Sequence, residues 1–282
     1  MIKLNGKEVE YKTFPNGETM LVHESVKDLG YVVNEVLFKY ENDSDLIKLM
    51  FLKKYLDALG WGNIDLVITY MPYSRMDRSE NSSPFTLKYV SEFINSLKFQ
   101  DVTVIEPHSD VTPALLNGVS SNYINFDLVK RVMKEVNFNS QTDYIMFPDN
   151  GAAKRYSKMK VKNELIGHKQ RNFETGKIES LEVIGSFIEN PDKVIIVDDL
   201  SSYGGTFMMS GKKLKDLGFK EIYLLIGHAE NSVFKGHLLT EESPITKVFT
   251  TDSILTEQDN WENKKYEDKI KIYSIEDLLI NN

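Results

Sequence analysis

The sequence predicts an α/β protein of two domains, each built around a mainly parallel central sheet. Three observations predict it. The chain has 282 residues, more than one small domain needs and comfortable for two. Short apolar runs rich in β-branched residues recur along it, as expected of parallel strands covered on both faces. Helical patterns lie between these runs, and that alternation marks βα units.

Taken in chain order, the first clear helix covers 45–59, with Ser44 as its cap and Gly60 as its stop. Leu46, Leu49, Met50, Leu52, Leu56 and Leu59 give it broad apolar faces. The run 64–70 (IDLVITY) reads as a buried strand, 86–97 as a helix and 102–105 as the next strand. The polar stretch 120–125 precedes a new helix and is the expected boundary, giving domains of residues 1–124 and 125–282. Beyond it, 144–147, 194–197 and 222–226 read as buried strands, and 206–217 as a helix stopped by Gly218. No repeat, low-complexity tract or Pro/Gly/Ser linker is evident.

Composition narrows the chemistry. With 34 Lys and Arg against 42 Asp and Glu, the formal net charge is −8, so there is no global basic footprint for nucleic acid. An anionic ligand must be met by local cations, by metal or by backbone N–H groups. The chain has no cysteine, which rules out disulfides, thiolate catalysis and Cys-based zinc sites and fits a reducing compartment. The opening MIKLNGKEVEYKTF lacks the apolar core of a secretory signal. No apolar stretch reaches the roughly 18 residues a membrane helix needs. The expectation is a soluble cytoplasmic protein that engages neither nucleic acid nor membrane.

The strongest local signal is 194–207, VIIVDDLSSYGGTF. A buried strand ends in Asp198 and Asp199, a short polar loop follows, and Gly204, Gly205 and Thr206 open a helix. Glycines let backbone N–H groups approach an anion, and a helix N-terminus favours its charge. In open α/β sheets ligands gather at the carboxyl ends of strands. The two carboxylates would repel phosphate, so they suit ribose hydroxyls or a metal shell. Without a ligand, the same segment also fits a strand, an Asp-rich turn and a capped helix.

This segment resembles the loop that binds phosphoribosyl pyrophosphate (PRPP) in type I phosphoribosyltransferases and PRPP synthetases. Asp198, Asp199, Gly204, Gly205 and Thr206 match it. Further segments resemble the synthetases in order and spacing: Phe14-Pro15-Asn16-Gly17-Glu18, the run 70–78 (YMPYSRMDR), Glu106-Pro107-His108-Ser109-Asp110, the run 147–155 (FPDNGAAKR), and Lys169-Gln170-Arg171. His228 and Asp252 extend the likeness. Each motif alone is weak, and their ordered combination is strong.

The resemblance to ribose-phosphate pyrophosphokinases implies two related phosphoribosyltransferase-like domains, an ATP-side N-terminal one and a ribose-phosphate-binding C-terminal one. It implies transfer of diphosphate from Mg²⁺-ATP to the 1-hydroxyl of ribose 5-phosphate, giving PRPP and AMP. By the same resemblance Phe14, Asn16, Glu18, Arg75, Met76 and Arg78 hold ATP. Ser201, Ser202, Tyr203, Gly204, Gly205 and Thr206, with Asp198 and Asp199, hold the ribose phosphate. His108 and Asp149 serve magnesium. Lys169 and Arg171, with His108, are the catalytic candidates, the first two on a mobile flap. Arg75 and Arg78 are well suited to phosphate, since guanidinium donors grip it as a planar fork. A homodimer or larger assembly is also implied, because the family's ATP site borrows residues from a neighbouring chain.

The sequence departs from the family at several points. Only 13 residues precede Phe14, where family members usually carry another strand and helix, so the standard hexamer and its allostery are not expected. Met76 replaces a Gln. Ser202 stands where Asp is frequent, and Tyr203 where a small hydroxyl residue is usual. A tyrosine there suits a longer acceptor, such as the terminal ribose of ADP-ribose, as well as ribose 5-phosphate. Two other readings stay open: a phosphoribosyltransferase that consumes PRPP, and a non-catalytic subunit that regulates a true synthetase.

Overall fold

A computed structural model describes residues 1–79, 83–171, 178–188, 191–256, 266 and 268–280, with backbone alone for 169–171 and 178–180. It divides into two compact units, Met1–Tyr123 and Ile124–Asn282.

In the first unit the residues before Phe14 form β1 (Ile2–Leu4), β2 (Lys7–Glu8) and β3 (Tyr11–Thr13). Strand β4 (Thr19–Leu21) pairs with β3 as an antiparallel hairpin. Then come β5 (Asn34–Phe38), α1 (Ser44–Ala58), β6 (Ile64–Ile68), α2 (Thr86–Ser96), β7 (Val102–Ile105), α3 (Val111–Leu115) and β8 (Val119–Asn122). The sheet order is β2-β1-β5-β6-β7-β8. Strands β5 to β8 are parallel, while β1 is antiparallel to β5.

The period-two side-chain pattern explains the layering. Val36, Phe38, Leu66, Ile68, Val102 and Val104 share a core with Leu49, Leu52 and Leu56 of α1 and Leu87 and Ile94 of α2. The intervening Leu37, Val67 and Ile105 are buried too, so these strands read as unbroken apolar runs.

One expectation is corrected in this unit. Ser44 is not the cap of α1. The Asn42 Oδ1 accepts the Ser44 N–H at 3.1 Å, and the Asp45 Oδ2 accepts the N–H groups of Glu41 and Asn42 at 3.0 and 3.1 Å. Asn42 and Asp45 thus satisfy each other's segment, as reciprocal caps do. The first residues of the polar stretch 120–125 lie in β8, the edge strand of this sheet.

The second unit runs α4 (Asn125–Glu135), β9 (Tyr144–Phe147), α5 (Asn150–Arg155), β10 (Glu164–Arg171), β11 (Ile178–Ile184), β12 (Lys193–Ser201), α6 (Gly205–Asp216), β13 (Glu221–Ala229), β14 (Lys247–Thr251), β15 (Ile270–Tyr273) and α7 (Ile275–Ile280). Its sheet order is β11-β10-β9-β12-β13-β14-β15, parallel throughout except for β11. Val194, Ile196, Leu224 and Ile226 join Phe207 and Leu214 of α6 in its core. Among the described residues no helix is long and apolar enough to cross a membrane.

Candidate active site

In the second unit β12 is flanked by β9 and β13, both parallel to it. Such a strand delivers Asp198 and Asp199 to the carboxyl end of the sheet, where the chain must turn into α6. Gly204 makes the turn at φ +82°, and a Cβ there would lie 2.1 Å from Leu238 Cδ1. Only glycine meets both demands. Gly236 in turn lies so close to Tyr203 that a Cβ would stand 2.2 Å from the Tyr203 carbonyl oxygen. The main chain of the loop is therefore braced from behind, and the Tyr203 side chain is 60% exposed.

Asp198 is held from several sides. Its carbonyl accepts from Asn125 Nδ2 at 2.8 Å, and the same amide donates to Tyr156 Oη at 2.8 Å. Its carboxylate accepts the Asp199 N–H at 2.9 Å. Arg155 Nη1 donates to Asp199 Oδ1 at 2.8 Å and lies 3.4 Å from Asp198 Oδ1. Burial pushes the Asp198 carboxyl well above its usual range, the charges of Asp199 and Asp149 push it further, and Arg155 opposes them. Asp198 and Asp199 thus share one guanidinium, while Asp149 acts on Asp198 through its charge. Asp149 also caps α5, its Oδ1 accepting the Ala152 N–H at 3.0 Å. No cluster of three or more potential metal-ligating side chains occurs among the described residues.

The loop has a hydroxyl chain on one side. Ser202 Oγ and Ser232 Oγ are 3.0 Å apart, and Ser232 Oγ donates to Glu230 Oε2 at 3.2 Å. At neighbouring strand ends, His228 Nδ1 lies 2.7 Å from Ser253 Oγ, and Asp252 Oδ1 accepts the Ile275 N–H at 2.7 Å.

Lys169 and Arg171 close β10, and their side chains fall outside the described atoms. The backbone shows the expected flap segment as part of an antiparallel ribbon. Lys169 pairs with Leu181 and Arg171 with Ile178, with a register shift between Gln170 and Arg171. A polar stretch can form a strand when antiparallel pairing, rather than burial, satisfies its backbone.

The first unit places the other candidates on two loops. Residues 14–18 form the turn between β3 and β4. Phe14 N–H donates to Glu18 O and Gly17 N–H to Phe14 O, both at 2.8 Å. Asn16 Nδ2 donates to Glu18 Oε2 at 2.8 Å, and Phe14 is 46% exposed. The second loop follows β6. There Tyr73 takes a left-handed φ of +62°, and its hydroxyl bonds the Asp43 carboxylate, which also accepts from Tyr40 at 2.6 Å. Those two phenols, Tyr40 first, hold the Asp43 pKa below the usual range. At the other end, Asp77 Oδ2 accepts from Ser109 Oγ at 2.7 Å. Arg75, Met76 and Arg78 are exposed around these anchors, and His108 is half-buried beside Ser109.

Sequence reasoning missed the supporting residues Asn125, Arg155, Asp43, Ser232 and Glu230. Arg155 closes the FPDNGAAKR motif, so its signal was present. Asn125, Asp43 and Ser232 meet partners 30 or more residues away, Glu230 is reached through Ser232, and no local pattern announces them.

Residues 1–97 match the model of the N-terminal domain of ribose phosphate pyrophosphokinase. The ribose-phosphate pyrophosphokinase of Pyrococcus abyssi is 27% identical over 252 residues, covering 86% of this chain and 85% of that protein. That of Mycoplasmopsis pulmonis is 25% identical over 294 aligned positions, covering 99% and 85%. The crystal structure of phosphoribosylpyrophosphate synthetase from Mycobacterium smegmatis has the same fold, with a TM-score of 0.77 over 98% of this chain and 88% of that one at 19% identity.

Proposed function

We propose, from the premise that this chain is a divergent member of the ribose-phosphate pyrophosphokinase family, that it transfers diphosphate from ATP to the 1-hydroxyl of a 5′-phosphorylated ribose. The observation that carries this reading is the braced loop at the carboxyl end of β12, with two acidic residues before it and α6 opening after it. In the reaction the ribose 1-oxygen bonds to the β-phosphorus while the bond to the α,β-bridging oxygen breaks, and AMP leaves. Diphosphoryl transfer asks the protein mainly for positioning and charge stabilisation.

In this reading the N-terminal domain is the ATP side. Phe14 covers the adenine, Asn16 and Glu18 meet its polar edge, and Arg75, Met76 and Arg78 line the nucleotide. The C-terminal domain holds the acceptor: Ser201 to Thr206 take the phosphate, while Asp198 and Asp199 accept from ribose hydroxyls. Lys169 and Arg171 neutralise charge growing on the transferred phosphates. Magnesium, with His108 and Asp149 as its protein partners, supplies charge neutralisation on phosphate oxygens when bound. A homodimer or larger assembly in the cytoplasm is part of the same reading.

Ribose 5-phosphate is the default acceptor. The exposed Tyr203 favours a second, larger one, such as the terminal ribose of ADP-ribose, because an aromatic wall at the loop mouth can stack on an extended ligand. Incubation with ATP, Mg²⁺ and each riboside should yield AMP in proportion to the diphosphorylated product. ADP with a monophosphorylated product overturns the reaction class, and PRPP-dependent glycosylation of a base without ATP supports a phosphoribosyltransferase instead. With ATP limiting and both ribosides in one tube, a tenfold or greater kcat/KM preference for ribose 5-phosphate removes the larger acceptor. A reversed order supports it, and Tyr203→Thr should then restore preference for ribose 5-phosphate.

A further inference from the structure

Resting on that assignment of the phosphate loop, we infer that Glu230 is a specificity-determining residue. Acting through Ser232, it fixes the Ser202 hydroxyl as an acceptor rather than a donor toward the bound ligand.

A hydroxyl has one hydrogen and two lone pairs. The Ser232 hydrogen goes to Glu230 Oε2, a carboxylate oxygen that accepts it. Ser232 therefore has no hydrogen for Ser202, and their 3.0 Å contact is made with the Ser202 hydrogen. The Ser202 hydrogen is thereby consumed inside the protein, and only a lone pair is left for a further partner.

The backbone keeps this chain in register. The Glu230 N–H donates to the Ser201 carbonyl at 2.9 Å, and the Val233 N–H to the Glu230 carbonyl at 2.9 Å. The segment carrying Glu230 and Ser232 is thus tied directly to the residue before Ser202. Gly236, pressed against the Tyr203 carbonyl, secures its far end.

At Ser202 the loop then favours a ligand group that brings a hydrogen: a ribose hydroxyl, or a phosphate that retains a proton. A fully ionised terminal phosphate has only lone pairs to present there and gains nothing from Ser202. The N–H groups of the loop and of α6 still attract its charge, so the chain tunes preference rather than abolishing binding.

The test is a double-mutant cycle on the full chain, reading equilibrium binding of ribose 5-phosphate at neutral pH by calorimetry. Ser232→Ala releases the Ser202 hydrogen to the ligand. Affinity should rise about tenfold, the worth of one hydrogen bond to a charged oxygen. Glu230→Gln should act in the same direction, because its amide can donate to Ser232 and reverse the chain. In a Ser202→Ala background the gain from Ser232→Ala should vanish, which a merely structural role for Ser232 would not produce. Unchanged or weaker binding by both Ser232→Ala and Glu230→Gln, with wild type binding ribose 5-phosphate, overturns the inference and leaves the site assignment intact. Persistence of the gain without the Ser202 hydroxyl also overturns it. No binding by wild type overturns the site assignment itself.

Discussion

Replacing Arg155 with Gln should destabilise the protein in a pH-dependent way. Arg155 is 12% exposed as a side chain, and its partners Asp198 and Asp199 are 15% and 5% exposed. Removing one member of so enclosed an ion pair costs about 3–5 kcal/mol when the remaining charges stay ionised. Asp198 need not stay ionised. Its folded pKa is raised, so the folded state holds that proton more tightly than the unfolded chain does. The stability linked to it is fully present below the ordinary carboxylate range and is lost as pH rises through the raised folded value. Arg155 opposes the rise, so Arg155→Gln moves the loss window upward and deepens it. Below its raised folded value the protonated Asp198 can donate to Asp199, and the cost should shrink to about 1 kcal/mol, that of a neutral hydrogen bond. Above that value the cost should approach ~3–5 kcal/mol. Urea unfolding followed by circular dichroism, in EDTA at the acid and alkaline ends of a pH series, measures this. An equal loss at both, or a larger loss at the lower, refutes the account of the cluster.

Other substitutions probe the remaining parts. Lys169→Ala and Arg171→Ala should lower kcat far more than they raise KM in the AMP-release assay, since their contribution belongs to the transition state. Gly204→Ala should cost about 3 kcal/mol in thermal or urea unfolding, combining left-handed strain with collision against Leu238. Adding Leu238→Ala should relieve the collision and leave the strain. Asp43→Asn and Tyr73→Phe should raise KM for ATP with little change in kcat, because Asp43 steadies the loop bearing Arg75 through Tyr73 without touching the nucleotide. Equal KM for ATP in wild type and both variants would remove Asp43 from the nucleotide-binding account.

What the sequence made legible follows from where its signals reside. Strands β7 and β9 coincide with the apolar runs that predict them, because every residue of β9 is buried and β7 is nearly so. The turn into α6 is legible for a similar reason: its determinants, Asp198 to Thr206, are contiguous. The β10–β11 ribbon is not, since its end is polar and its partner strand supplies the order. The cap of α1 is misread because Ser44, Asp43 and Asn42 are all competent caps, and the choice falls to geometry set by Asp45. The bracing of Asp198 by Asn125 links residues 73 positions apart. No spacing rule reaches so far, and the tertiary fold alone brings that amide to that carbonyl.

The ribbon has a mechanical consequence. From Glu164 to Ile166, β10 is bonded to β9 on one side, and from Ile166 to Arg171 to β11 on the other. Past Ile166 it therefore projects as a cantilever bonded along one edge, about 17 Å long at the rise of a strand. Its root is Gly167, where a Cβ would stand 2.5 Å from the Pro148 carbonyl oxygen, one residue before Asp149. A beam clamped at one end bends most at its tip and least at its root. Amide exchange should accordingly quicken from Ile166 outward, and thermal bending should carry Lys169 and Arg171 through an arc whose fixed point adjoins Asp149.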